Sequence, residues 1–82
     1  MKTMLDIALS VVCEDATLSF EFDQIFEVVE NNLKEHWNNT LVSENQSYDD
    51  LRVKKMGELY RLLTVDGRFV RDKDGLWSAR EL

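Results

Sequence analysis

The chain has 82 residues, enough for one hydrophobic core and too few for two, and its content of 44% hydrophobic, 32% charged and 10% aromatic residues excludes a disordered or fibrous protein. A lone cysteine, Cys13, excludes an internal disulfide, a lone histidine, His36, excludes the paired Cys and His spacings of a zinc site, and the lack of proline excludes a proline-rich linker. The formal charge of −6 excludes a strongly basic nucleic-acid binder, although residues 1–47 carry two lysines against nine acids whereas residues 48–82 carry eight basic residues against seven acids.

At the N-terminus, Met1 to Cys13 superficially looks like a lipoprotein leader ending in the modified cysteine. Asp6 interrupts its apolar run and Val12 fills the position where cleavage needs a small residue. A cytoplasmic protein without a membrane segment is therefore expected, with Asn38-Asn39-Thr40 and Asn45-Gln46-Ser47 unglycosylated. Residues 3–14 read instead as a helix: Thr3 and Asp6 have capping-box spacing, and Leu5, Ala8, Leu9 and Val12 recur at i, i+3, i+4 and i+7. Cys13 ends this apolar helix, where it is expected to behave as a small hydrophobe. From Asp15 to Glu21, Leu18 and Phe20 alternate with polar residues, the pattern of a short strand or extended link.

The strongest periodic signal follows. Phe22, Ile25, Phe26, Val29, Leu33 and Trp37 form one apolar stripe on a helix from Phe22 to about Trp37, with Asp23, Glu27, Glu30, Asn31 and Lys34 on its solvated side. Asn38 to Gln46 is predicted as a loop, closed by Ser47, whose spacing from Asp50 lets it cap a third helix from about Tyr48 to Thr64. Met56, Leu59, Tyr60 and Leu63 are that helix's expected buried stripe, leaving Arg52, Lys54, Lys55, Glu58 and Arg61 for solvent or a partner. In the turn Val65-Asp66-Gly67-Arg68, Gly67 is expected at positive φ and Asp66 as an acceptor for turn amides. Phe69 to Asp72 and Leu76 to Arg80 then form a hairpin around Lys73-Asp74-Gly75, with Phe69 and Trp77 sharing a face that covers the third helix. Helix, short strand, helix, helix and hairpin predict an α+β fold of the winged-helix type, one domain over residues 1–82.

Nothing in the pattern points to catalysis, a metal or a cofactor: there is no glycine-rich phosphate loop, ligand cluster or nucleophile elbow. Cys13 and His36 would need a third, orienting group to act as nucleophile and base, and none is identifiable, so both read as structural. The carboxylates fall mostly on solvated helix faces, which gives no support to a glycosidase-like pair.

The run Met56-Gly57-Glu58-Leu59-Tyr60-Arg61-Leu62-Leu63-Thr64-Val65-Asp66-Gly67-Arg68-Phe69, followed by Trp77, resembles the N-terminal domain of bacterial RNA polymerase delta subunits, the HARE-type helix-turn-helix. Met4-Leu5-Asp6-Ile7-Ala8 is similar to that family's first helix and Phe22-Asp23-Gln24-Ile25-Phe26 to the start of its second, so the resemblance covers nearly the whole chain. Its most specific part is the Asp66-Gly67-Arg68-Phe69 turn with Trp77 at a fixed distance. The segment Asn31 to Ser47 is longer than its counterpart, and the long acidic tail of delta subunits is not among these 82 residues.

The resemblance implies a non-catalytic accessory subunit whose folded domain docks on core RNA polymerase and modulates transcription initiation and recycling, and a monomer is expected. Arg52, Lys54, Lys55, Arg61, Arg68, Arg71 and Lys73 are the expected contact set. The alternative is a winged-helix DNA-binding transcriptional regulator, with the third-helix cations in a major groove and the hairpin cations on the DNA backbone. Asp49, Asp50, Glu58, Asp72 and Asp74 interleave with those cations and would repel phosphates, so at most weak, non-specific nucleic-acid binding is expected.

Overall fold

The first and third helices each begin where a side chain accepts from a free helical amide. The computed structural model describes residues 2–80, so Met1, Glu81 and Leu82 of the expected 1–82 domain lie outside the described residues. Helix α1 (Met4–Glu14) starts at Thr3, whose hydroxyl accepts from the Asp6 amide at 3.1 Å while the Thr3 amide donates to the Asp6 carboxylate at 3.1 Å. The Thr3 amide and hydroxyl hold the Asp6 carboxyl below its ordinary value. Met4, Ile7, Ala8 and Val12 are buried, whereas Leu5 and Leu9 are only half-buried. The helix is thus rotated from its expected phase. Apolar side chains flank the stripe on both sides, so spacing alone admits either phase and packing against α2 and the hairpin selects one. Cys13 is exposed, contrary to expectation, because it follows Val12 around the helix and points away from the core.

The link to the next helix turns on Asp15, whose carboxylate accepts from the Thr17 amide (2.9 Å) and hydroxyl (2.6 Å). The expected short strand shrinks to one bridging residue: Phe20 exchanges two backbone hydrogen bonds with Trp77, both 2.8 Å. Helix α2 (Phe22–Thr40) buries Ile25, Phe26, Val29, Leu33 and Trp37, with Phe22 half-buried. It runs one turn beyond the expected end at Trp37, and the Trp37 carbonyl accepts from the amides of Leu41 (2.9 Å) and Val42 (3.2 Å) as it closes. The rest of the expected loop is a tight Ser43–Gln46 turn before Ser47, which caps α3 (Tyr48–Val65) through the Asp50 amide at 3.2 Å.

Leu51, Leu59 and Leu63 are the buried residues of α3; Met56 is half-buried and Tyr60 lies at the surface, so the inward stripe is narrower than expected. Asp66 leaves the helix with extended backbone (φ −87°, ψ 118°), and the positive φ expected at Gly67 does not occur. The Asp66 carboxylate organises the turn by accepting from the Arg68 amide (2.9 Å) and guanidinium (2.8 and 3.0 Å), which pulls its carboxyl down to about 2.

Strands β1 (Phe69–Arg71) and β2 (Trp77–Ala79) pair antiparallel with Phe69 opposite Ala79 and Arg71 opposite Trp77. This register puts Phe69 and Trp77 diagonally on one buried face. The face lies chiefly against α1 rather than over α3, which it meets through the Tyr60 ring, edge-on to Trp77 at 6.0 Å between centroids. With Phe20 on its other side, β2 becomes the centre of a three-segment arrangement. Between the strands, Gly75 takes φ 83°, and a Cβ there would come within 3.3 Å of the Arg71 guanidinium. Gly75→Ala is therefore expected to cost about 1–2 kcal/mol. Gly67→Ala, with negative φ and nothing within 4 Å of an added Cβ, is expected to be neutral or stabilising by up to about 1 kcal/mol. Urea unfolding of the two variants side by side checks both, and a Gly67→Ala loss as large as that of Gly75→Ala would refute the turn geometry.

Candidate interaction surface

The seven candidate cations do not form one patch. Arg52 turns inward toward α2, where its Nε donates to Glu30 at 2.8 Å and its guanidinium carbon lies 5.2 Å from the Phe26 ring centroid. Lys55 is also drawn to α2, with Nζ 5.9 Å from the Trp37 ring centroid and 3.3 Å from Glu58. Both residues, expected to be free for a partner, are half-buried parts of the α2–α3 seam. Lys54 and Arg61 remain exposed on α3, and Lys54 donates to the neutral Gln46 amide oxygen at 2.6 Å. On the hairpin side, Arg68 is paired with Asp66 while Arg71 and Lys73 are exposed.

Glu30 is the polar residue that sequence reasoning misplaced on a solvated face. It is half-buried and accepts from the Tyr48 hydroxyl at 2.6 Å as well as from Arg52. Burial alone would raise its carboxyl, but hydrogen bonds from Tyr48 and Arg52 outweigh that and hold it below its ordinary value. Burial, the Glu30 hydrogen bond and the Glu30 charge together push the Tyr48 hydroxyl up to about 12. The first residue of α3 is thus tied to the middle of α2 by a charge-assisted bond. No local signal could reveal this pairing, because its partners lie 18 and 22 residues apart in sequence.

The hydrophobic surface was also missed. Val53 and Val65 on α3 are 67% and 75% exposed, and Tyr60 on the same helix is partly uncovered. The legible clue was Val53 among charged neighbours, off the inward stripe.

Concave regions lie elsewhere, one of about 170 Å³ between α1 and α2 and two larger ones. One, about 460 Å³, opens between the start of α1, α2 and α3 and is lined in part by His36, Trp37 and Lys55. The other, about 220 Å³, lies between α1 and the hairpin and is lined by Leu9, Cys13, Arg68 and Ala79 among others. Cys13 and His36 line different cavities and form no pair. Among the described residues no group of three or more His, Cys, Asp or Glu side chains is placed to hold a metal, and no helix is long and apolar enough to cross a membrane.

Comparison with known protein families, curated proteins and solved structures returns no match for this chain.

Proposed function

We propose that this chain is a non-catalytic, cytoplasmic accessory domain that docks on core RNA polymerase through protein contacts. The resemblance of its Met56–Phe69 run and Trp77 to the delta-subunit domain supports the reading, as does a hairpin closed on a third segment at Phe20, the arrangement expected of a winged helix. The observation that carries it is the way the cations are used. Arg52, Lys55 and Arg68 are each paired with a carboxylate of the same chain, and the Arg52 bond to Glu30 and the approach of Lys55 to the Trp37 ring turn two of the four basic side chains of α3 toward α2. A helix that enters a major groove needs those charges free for phosphates and base edges.

Protein docking and DNA binding respond differently to salt, since neutralising several phosphates makes DNA affinity fall steeply as salt rises. The protein is expected to co-purify with core polymerase from its own source at moderate salt. It should leave random duplex DNA unshifted at micromolar protein, within or below the ordinary non-specific range of about 10⁻⁴ to 10⁻⁶ M. Sub-micromolar binding to a defined duplex together with no polymerase association would replace this reading with the DNA-binding regulator.

A further inference from the structure

We draw no further inference here: the strongest candidate, the cavity of about 460 Å³ between the start of α1, α2 and α3, is lined by apolar Leu33 and Trp37 but also by Lys2, His36 and a Lys55 already paired with Glu58, so its charge selects no class of occupant and nothing in the structure shows what covers it.

Discussion

Trp77→Ala is expected to remove about 3–5 kcal/mol of folding free energy, the range for deleting a large aromatic side chain from a core that cannot collapse to fill the space. Trp77 is 2% exposed and joins three parts of the fold. Its backbone pairs with Phe20 and with Arg71, its side chain shares the buried face with Phe69, and its ring meets Tyr60, which meets Phe22 at 5.5 Å between centroids. Losing the indole therefore weakens the packing of the hairpin on α1 and its contact with Tyr60 of α3, as well as opening a cavity. A domain of this size has a total stability of about 4–12 kcal/mol, so the variant should be marginal at 37 °C. Thermal unfolding followed by far-ultraviolet circular dichroism reads the effect, with Trp77→Phe expected to lie between the two because it keeps part of the buried area. An alanine variant with an unchanged midpoint would place Trp77 outside the core and remove the anchor of the hairpin.

Breaking the Glu30, Tyr48 and Arg52 cluster is expected to have the next largest effect. In Glu30→Ala the Tyr48 hydroxyl, which lies in the half-buried α2–α3 seam, loses its acceptor and Arg52 loses its counter-charge. The cost is about 1–3 kcal/mol, mainly from the stranded hydroxyl, because the Arg52 side chain is 41% exposed and its ion pair is screened by solvent. Glu30→Gln should recover part of the loss by restoring an acceptor for Tyr48. The cluster also predicts two limbs of pH dependence. The Glu30 carboxyl titrates below its ordinary 4.5 in the folded state, so its contribution is present above that value and disappears as pH falls through the lowered one. Tyr48 titrates at about 12 folded against an ordinary 10, so its contribution is complete below pH 10 and is lost as pH rises toward 12. Urea unfolding from pH 3 to 11.5 should show both limbs flattened in Glu30→Ala. Parallel curves for the variant and the parent would mean that the cluster does not stabilise the fold.

Sequence alone determined the features whose causes lie within one or two turns of chain. Thr3 with Asp6, and Ser47 with Asp50, marked the starts of α1 and α3 because a capping hydroxyl reaches only the next few amides. The stripe from Ile25 to Trp37 faces inward because a single apolar line on a helix has one way to leave water. Phe69 and Trp77 were legible as core because alternation in a hairpin settles which face they share.

What only the tertiary structure decided depends on where separate elements meet. Helix α1 has apolar residues wide enough around its axis for two phases, and contact with α2 and β2 buries Met4 and Ile7 more deeply than Leu5 and Leu9, leaving Cys13 outside. The Asp66 carboxylate holds its turn in a conformation that makes a left-handed Gly67 unnecessary, and the strained position moves to Gly75 between the strands. Arg52 and Lys55 were indistinguishable from Lys54 and Arg61 by composition. Packing α3 against α2 turned the first two toward Glu30, Phe26 and Trp37 and left the second two at the surface, because a charged side chain finds its partner across elements, at separations no local pattern encodes.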